Sequence, residues 1–247
     1  MVRRDAADSL NAGFVERVGD TIRRPRDDGS EAVEALLLHL EHVGFEGAPR
    51  FVGHDELGRQ VLTFLPGDVD SEPAWQHDDA ANARGLGELA AWLRTLHDAT
   101  RGFEPPSGAQ PRRPLANPGS VWTHGDAHYG NSVYRDGRLV GMIDWEFAAP
   151  ADPLDDPAAL LAHGIRGPRP DVDDGARRQA ATVVAAQAIA DGYGMDAADR
   201  ARLAEAAARS LEDAADFWSE IGRDAGTIAR SRWRAQWFRD HAELVAG

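Results

Sequence analysis

The chain reads VWTHGDAHYGNSVYRDGRLVGMIDWE from Val121 to Glu146, and this stretch predicts a β-hairpin with polar side chains at its open end. Two strand-like runs, 131–135 and 138–143, flank Asp136-Gly137, the dipeptide that most readily supplies the positive φ angles of a two-residue turn. A register set by that turn pairs Asn131 with Met142. The hairpin therefore brings Asn131 and Asp144 to one end.

Three oxygen-bearing side chains, those of Asp126, Asn131 and Asp144, are expected to converge at this open end. Asp144 lies between Ile143 and Trp145 in a run typical of a buried strand, where an ionised carboxylate is rarely left without a partner. A cation is the simplest partner, and ligands that are all oxygen suit Mg²⁺ better than zinc.

The spacing of these residues matches a known catalytic loop. His-x-Asp-x-x-x-x-Asn, followed by a hairpin and a further Asp, is the pattern of phosphotransferases with the protein-kinase plan. The motifs HGD at 124–126 and IDWE at 143–146 resemble those of the aminoglycoside phosphotransferase and choline kinase family. Protein kinases usually carry Arg inside the first motif and Phe-Gly after the second Asp.

This resemblance implies specific roles for the matching residues. Asp126 would accept the hydroxyl proton, Asn131 and Asp144 would hold Mg²⁺, and His124 would hold the loop in place. The cofactors implied are ATP, or GTP, together with Mg²⁺. The acceptor implied is a small molecule with a hydroxyl group, of the aminoglycoside or amino-alcohol type.

The same polar residues allow another interpretation. His124, Asp126, His128 and Asp144 could form the ligand set of a metal-dependent hydrolase. That set leaves Asn131 unused and requires two imidazoles of a short loop to point together. His128 has no role in the resembling family and is otherwise an ordinary loop residue.

Composition restricts the class of protein. A chain of 247 residues suits one large domain or two unequal lobes. It has no cysteine, which excludes disulfides and thiolate sites and fits a reducing cytosol. The first residues lack the apolar core of a signal peptide, and no run approaches the roughly 20 apolar residues of a membrane span. We therefore expect a cytoplasmic protein with no membrane partner.

The net charge of the chain restricts the classes of molecule that it is expected to bind. The net charge of −14 argues against nucleic acid, which is bound through lysine and arginine. This negative charge would either attract cationic small molecules or only keep the protein in solution. All 27 basic residues are arginine.

The predicted fold class is α+β, a two-lobed protein-kinase-like fold. Residues 1–66 predict a small, truncated β-rich lobe that binds the nucleotide. This lobe is expected to begin with a hairpin over 13–24. A helix follows, with Ser30 as N-cap and an end near Val43, and its apolar face carries Val33, Leu36, Leu37 and Leu40. Strands over 50–54 and 60–65 complete the lobe. The resemblance implies a hinge at Phe64 and Leu65 whose backbone meets adenine.

This lobe departs from the kinase pattern. It has no Gly-x-Gly-x-x-Gly loop, its first strand is short or missing, and no lysine is available to hold the phosphates. Arg23 is the predicted substitute, because a guanidinium also binds phosphate, or else it is an exposed strand residue. Glu34 is the helix glutamate that would orient this cation, unless it faces solvent.

Residues 67–247 predict a mainly helical lobe with the catalytic loop, the metal site and the acceptor site. A helix over 83–100, whose helical spacing predicts a buried stripe of Leu86, Leu89, Leu93 and Leu96, precedes a loop over 105–118. Asp156 best matches the family's aspartate that braces the catalytic loop, with Asp152 as the weaker choice, and both could instead cap a helix. Two or three helices follow over 175–246.

Candidate acceptor contacts are acidic. Asp213, Asp216 and Glu220 recur at helix spacing beside aromatic residues, so they predict either a wall for a cationic acceptor or a solvated face. Glu146 is a further candidate contact for the acceptor.

The sequence leaves two functions open. The first is a small-molecule phosphotransferase. The second keeps the fold without the catalysis, as a binding or immunity-type protein that sequesters a small molecule or peptide. The missing lysine, the absent glycine-rich loop and the short first lobe favour the second.

Overall fold

The computed structural model describes residues 8–10, 15–70, 77–112, 119–165 and 175–247. The strands are β1 Asp8–Leu10, β2 Val15–Val18, β3 Thr21–Arg24, β4 Phe51–His54, β5 Gln60–Thr63, β6 Val121–Thr123, β7 Ser132–Arg135, β8 Arg138–Met142 and β9 Ala149–Ala151. The helices are α1 Ser30–His42, α2 Asp79–Thr100, α3 Asp155–His163, α4 Gly175–Tyr193, α5 Ala197–Glu220, α6 Ala225–Asp240 and α7 Ala242–Ala246.

The chain forms two compact units. The first comprises Met1–Val69, Asp98–Asp126 and Asn131–Ala151, and the second comprises Asp70–His97, Ala127–Gly130 and Asp152–Gly247. A small antiparallel sheet in the first unit and a mainly helical second unit confirm the predicted α+β class.

A five-stranded antiparallel sheet, in the order β1-β2-β3-β5-β4, dominates the first unit. The predicted hairpin is present, with Val18 opposite Thr21 across a turn in which Gly19 has a φ of 58°. The first strand, expected to be short or missing, is present as the three-residue strand β1, which pairs with β2. A strand of three residues has too few positions to show a period-two pattern in the sequence.

Helix α1 packs one apolar face into the core of this unit. Leu36, Leu37 and Leu40 have no solvent exposure, as the predicted stripe requires. Its N-cap is Gly29 rather than Ser30. The Ser30 hydroxyl instead donates to the Asp27 carboxylate at 3.0 Å, in the turn that leads into the helix.

The second hairpin, β7-β8, turns at Asp136 and Gly137 as predicted, with φ angles of 51° and 73°. The predicted register is correct next to the turn, where Tyr134 faces Leu139. A β-bulge then shifts it, so Ser132 rather than Asn131 faces Met142. The bulge lies beside Gly141, where an added Cβ would come within 2.4 Å of the Gly47 carbonyl oxygen.

The second unit is built from helices. The predicted leucine stripe of α2 is confirmed, because Leu86, Leu89, Leu93 and Leu96 are all fully buried. Gly87 and Gly192 let α2 and α4 approach closely, since a Cβ on Gly192 would come within 2.2 Å of the Gly87 carbonyl oxygen. Four helices, α4 to α7, occupy the region where two or three were expected.

None of the helices in the described residues combines the length and the apolar composition that crossing a membrane requires.

Candidate active site

Asp126 and Asn131 are in direct contact at the open end of the β7-β8 hairpin. The Asn131 side-chain amide nitrogen donates to the Asp126 carboxylate and to the Asp126 carbonyl oxygen, both at 2.9 Å. Because the nitrogen makes both bonds, the amide oxygen is the Asn131 group left to bind a cation. Asn131 is 5% exposed, so this orientation is fixed.

The backbone of Ile143 ties the residue before Asp144 to the same loop. The Ile143 amide donates to the Asn131 carbonyl oxygen at 2.9 Å. The Ile143 carbonyl oxygen accepts from His124 Nε2, also at 2.9 Å. These two bonds hold the backbone of Ile143, the residue before Asp144, against the loop that carries Asp126 and Asn131.

His124 is fully buried and bonded on both sides of its ring. Its Nδ1 accepts from the Asp126 backbone amide at 3.3 Å, so the neutral tautomer with a proton on Nε2 fits the loop. The ring also packs on Trp145, with centroids 4.8 Å apart. This geometry supports the interpretation of His124 as a residue that holds the loop.

Asp144 does not lie in a buried strand, contrary to expectation. Strand β8 ends at Met142, and Asp144 has left-handed backbone angles, φ 61° and ψ 59°, at the start of a turn of 3-10 helix, Trp145–Phe147. Its side chain is 39% exposed. The carboxylate therefore faces a position that an ion from solvent can reach.

Glycine is required at position 125, where the loop that carries Asp126 passes close to the 3-10 turn Trp145–Phe147. Its φ is +78°, and a Cβ there would lie 2.1 Å from the Phe147 carbonyl oxygen. Only glycine fits so close an approach with a positive φ.

The structure places Arg24, rather than Arg23, at Asp144. Arg24 Nη1 lies 3.6 Å from the Asp144 carboxylate, and Nη2 contacts Glu146. Arg23 instead donates to the Thr21 hydroxyl. Successive side chains of a strand point to opposite faces, so only one of the two arginines can face the site.

Glu34 is buried, so its predicted alternative as a solvent-facing residue is wrong. Its carboxylate accepts from Arg26 at 2.9 and 3.1 Å, from His54 at 3.1 Å and from Gln60 at 3.4 Å. The basic partner of this helix glutamate is therefore Arg26, and Arg23 is not among its contacts.

Glu146 bridges two arginines. One carboxylate oxygen contacts Arg24 and the other lies 3.1 Å from Arg112 Nη1. Arg112 also pairs with Asp27 at 3.4 Å and lies over the Phe147 ring at 5.2 Å. A carboxylate held by two guanidiniums is a poor contact for a cationic acceptor, which is the role predicted for Glu146.

The predicted hinge residues follow the end of β5. The Phe64 amide donates to the Asp20 carbonyl oxygen at 2.8 Å, and the Arg17 guanidinium lies 3.6 Å from the centre of the Phe64 ring. Leu65 is half-buried, near Gly141. These contacts leave the nucleotide role of both residues as a prediction.

Asp156 is buried on α3 within the second unit. It accepts from His97 Nε2 at 3.1 Å, and His97 Nδ1 lies 2.7 Å from the Tyr193 hydroxyl. Asp152 is half-exposed, pairs with Arg202 and caps the turn before α3 through the Leu154 amide at 3.0 Å. The role of Asp156 in bracing the catalytic loop stays a prediction.

The acidic acceptor candidates share the exposed face of α5. Asp213, Asp216 and Glu220 are all exposed, and Asp216 pairs with Arg232 at 3.0 Å. The aromatic residues beside them differ in burial, since Trp237 is 8% exposed and Trp233 is 36% exposed. This face stays a predicted acceptor contact.

The described residues do not support the hydrolase interpretation. No group of three or more His, Asp or Glu side chains among them could hold a metal ion. His128 Nδ1 accepts from the Gly130 amide at 3.0 Å, which is a turn contact.

Asn131 and Asp144 fit a hard divalent cation. The Asn131 amide oxygen and the Asp144 carboxylate are the kind of oxygen donors that Mg²⁺ prefers when phosphate and water supply the remaining positions. Two site residues were missed from the sequence: Arg24 and Arg112. Because Arg23 and Arg24 are adjacent on one strand, the sequence indicated that one of them faces the site. No pattern in the sequence predicted a role for Arg112.

Residues 108–205 match the model of the phosphotransferase enzyme family, APH. The trifolitoxin immunity protein of Rhizobium leguminosarum bv. trifolii is 37% identical over 142 residues, 55% of this chain and 52% of that protein. The match thus spans about half the length of this relative.

Solved structures share the fold at low identity. A choline/ethanolamine kinase family protein from Mesorhizobium loti has a TM-score of 0.58 at 16% identity, covering 98% of this chain and 92% of that chain. The APH(2")-IIa structure with gentamicin has a TM-score of 0.64 at 14% identity, covering 99% and 94%. Amicoumacin kinase hAmiN, with AMP-PNP, Ca²⁺ and Ami, has a TM-score of 0.64 at 14% identity, covering 96% and 87%.

The resemblance stated from the sequence is confirmed over residues 108–205, which include the HGD and IDWE motifs and match the phosphotransferase enzyme family. The chain shares its fold with the choline/ethanolamine kinase family protein and with APH(2")-IIa.

Proposed function

We propose that this protein is an ATP- and magnesium-dependent phosphotransferase that moves the γ-phosphoryl group to a hydroxyl of a small, cationic molecule. The observation that carries the proposal is the hydrogen-bonded pair of Asp126 and Asn131, to which the backbone of Ile143, the residue before Asp144, is also bonded. The match of residues 108–205 to a phosphotransferase family supports the reaction class.

Asp126 orients the acceptor hydroxyl and takes its proton. The carboxylate is held by the Asn131 amide at 2.9 Å, and the backbone of Asp126 is held by His124. As the oxygen–phosphorus bond to the acceptor forms and the bond to the leaving ADP oxygen breaks, the hydroxyl proton passes to Asp126. Positioning and charge neutralisation supply most of the acceleration in such transfers.

Asn131 and Asp144 hold the magnesium ion of the nucleotide through the amide oxygen and the carboxylate. When bound, the ion neutralises the charge of the phosphate oxygens. Arg24 adds a guanidinium beside Asp144, so it replaces Arg23 in our assignment as the cation that contacts the phosphates. Arginine suits this task because its fork of donors matches phosphate oxygens.

The nucleotide base is assigned to residues 1–66, with the backbone of Phe64 and Leu65 as the hinge. The acceptor is assigned to residues 67–247, with Asp213, Asp216 and Glu220 as acidic contacts. A net charge of −14 favours a cationic acceptor. Structural neighbours that carry gentamicin or Ami support a small-molecule acceptor.

The proposal is tested by a nucleotide-consumption assay with amino-sugars, amino-alcohols and neutral sugars, each run with ATP and with GTP. We expect consumption that depends on one acceptor class, with a product heavier by one phosphate group. Hydrolysis without a phosphorylated product, or no consumption with any acceptor, would contradict the proposal.

A second function is favoured by one observation, the 37% identity to a trifolitoxin immunity protein over about half of each chain. A protein of this kind would sequester a small molecule or peptide without transferring phosphate. It predicts that a ligand binds equally well with and without Mg-ATP and is recovered unchanged in mass. A recovered ligand that carries an added phosphate would exclude it.

A further inference from the structure

Glu146 holds the guanidinium of Arg24, which lies beside Asp144. Arg24 Nη2 contacts the Glu146 carboxylate, and this is a closer contact than the 3.6 Å between Arg24 Nη1 and Asp144. A nitrogen–oxygen separation of 3.6 Å is longer than a hydrogen bond, so Arg24 stays near Asp144 without binding it tightly. The Asp144 carboxylate thus stays available to a metal ion.

Glu34, the α1 glutamate expected to orient the site's cation, has other partners than Arg24. The side chain of Glu34 is 8% exposed and already accepts from Arg26, His54 and Gln60. Arg26 alone occupies both carboxylate oxygens, at 2.9 and 3.1 Å. Glu34 therefore belongs to a separate buried cluster of polar side chains.

Glu146 is rigidly placed for the task. The residue before it, Trp145, is 2% exposed and donates its indole N–H to the Met142 carbonyl oxygen at 2.9 Å. The residue after it, Phe147, has its carbonyl oxygen against Gly125. The backbone of Glu146 is therefore fixed on both sides, and its side chain starts from a constant position.

Arg112 secures the second oxygen of the same carboxylate. It lies 3.1 Å from Glu146 and is itself held by Asp27 at 3.4 Å and by the Phe147 ring. With one oxygen bound to Arg112, the Glu146 carboxylate cannot rotate freely. The other oxygen then defines where the Arg24 guanidinium lies.

We infer that Glu146 is a positioning residue: it holds Arg24 beside Asp144, in place of the helix glutamate Glu34, and so keeps Arg24 from binding the metal-ligand carboxylate. The inference rests on the proposed function and deepens it. Without Glu146, Asp144 is the remaining carboxylate within reach of Arg24 among the described contacts. Arg24 would then form a close ion pair with Asp144 and compete with Mg²⁺.

The first test is a double-mutant cycle on the affinity for Mg-ATP, measured by calorimetry with Glu146→Gln, Arg24→Met and the double variant. We expect Glu146→Gln to weaken binding about tenfold, the loss typical of a charge-assisted hydrogen bond, and to raise the Mg²⁺ concentration needed for half-maximal binding. In the Arg24→Met background, the same change should have little effect. Equal losses in both backgrounds would overturn the inference, since Glu146 would then not act through Arg24.

Two matched variants exclude general effects. Glu212→Gln makes the same change in another arginine-paired glutamate, whose partner is Arg239, and should leave Mg-ATP affinity unchanged. Glu34→Gln should lower the melting temperature but change Mg-ATP affinity less than Glu146→Gln does. A larger loss of affinity with Glu34→Gln would assign the positioning role to α1 and overturn the inference.

A second measurement needs no nucleotide and separates this inference from the proposed function. In a crystal structure of Glu146→Gln without nucleotide, Arg24 should move to a close ion pair with Asp144. If Arg24 keeps its position beside the substituted side chain, the inference fails even when the wild type binds Mg-ATP. If Arg24 moves but the wild type does not bind Mg-ATP, the positioning is correct and the proposed phosphotransfer fails.

Discussion

The Asn131 side-chain amide donates a hydrogen bond to the Asp126 carboxylate at 2.9 Å, so the proposed proton acceptor and the proposed metal ligand form one unit. Each residue fixes the other. The amide orientation determines which Asn131 atom is free for a cation, and the same bond holds one oxygen of Asp126.

Asp126→Asn is expected to lower turnover strongly while nucleotide binding persists. The amide oxygen can still accept from Asn131, but it cannot take a proton, and removal of a general base typically costs about 10²- to 10⁴-fold in rate. Steady-state phosphorylation and the thermal shift with Mg-ATP, measured on the same sample, check this. Asp136→Asn, the same change in the exposed hairpin turn, is the control and should keep full turnover. Undiminished activity of Asp126→Asn would remove Asp126 from the mechanism.

Gly125→Ala is expected to destabilise the protein by several kcal/mol. The new Cβ would lie 2.1 Å from the Phe147 carbonyl oxygen in addition to adopting a φ of +78°. Gly137→Ala provides the matched control, because its φ is +73° and nothing lies within 4 Å of the added Cβ. Chemical denaturation should give a loss of about 1 kcal/mol for the control and a clearly larger one for Gly125→Ala. Equal losses of unfolding free energy in the two variants would show that the close approach of Gly125 to Phe147 does not affect stability.

Arg24→Met and Arg23→Met separate the two neighbouring arginines of β3. Arg24 faces Asp144, whereas Arg23 contacts Thr21, so only the first variant should weaken Mg-ATP binding, by about tenfold. Calorimetric titration with Mg-ATP measures both. A loss confined to Arg23→Met would restore the assignment made from the sequence.

Asp155→Asn is expected to stabilise the protein above pH 6. Burial, followed by the nearby Asp152 and Asp156 carboxylates, raises the pKa of Asp155 to about 6, and Arg209 opposes this. Because the pKa is higher in the folded than in the unfolded protein, the folded state binds more protons between about pH 4 and 6, and stability falls as pH rises through that window.

Above pH 6, Asp155 is ionised in the folded protein, and its partly buried charge lowers the free energy of unfolding. Asparagine carries no charge and removes this loss. The gain should be about 1 kcal/mol, since the side chain is 42% exposed and water screens its charge. Melting temperatures of both proteins from pH 4 to 8 check the prediction. The difference should disappear near pH 4, and a difference that is constant across pH would contradict it.

Local patterns predicted the parts of the fold that local chemistry determines. Asp136-Gly137 turned the hairpin with positive φ angles, and the leucines of α2 are buried as their spacing indicated. The register beyond Tyr134 was wrong because the bulge beside Gly141 accompanies the approach of Gly47, a residue far away in the sequence.

The candidate site was predictable where residues are close in the chain. Asp126, Asn131 and Asp144 were grouped by one loop and one hairpin. Arg24 was missed because alternation along a strand shows that Arg23 and Arg24 face opposite ways but not which one faces the site. The contact of Arg112 with Glu146 joins residues in different loops, and no period in the sequence records such a contact.

The most direct test of the proposed magnesium site is the thermal shift produced by Mg-ATP. Ligands that bind only the folded state raise its melting temperature, by an amount set by concentration relative to the dissociation constant. We predict that wild type melts at a higher temperature with Mg-ATP than with ATP and EDTA, and that Asp144→Ala loses this difference. A wild type that does not respond to Mg-ATP, or an Asp144→Ala variant that responds fully, would contradict the account.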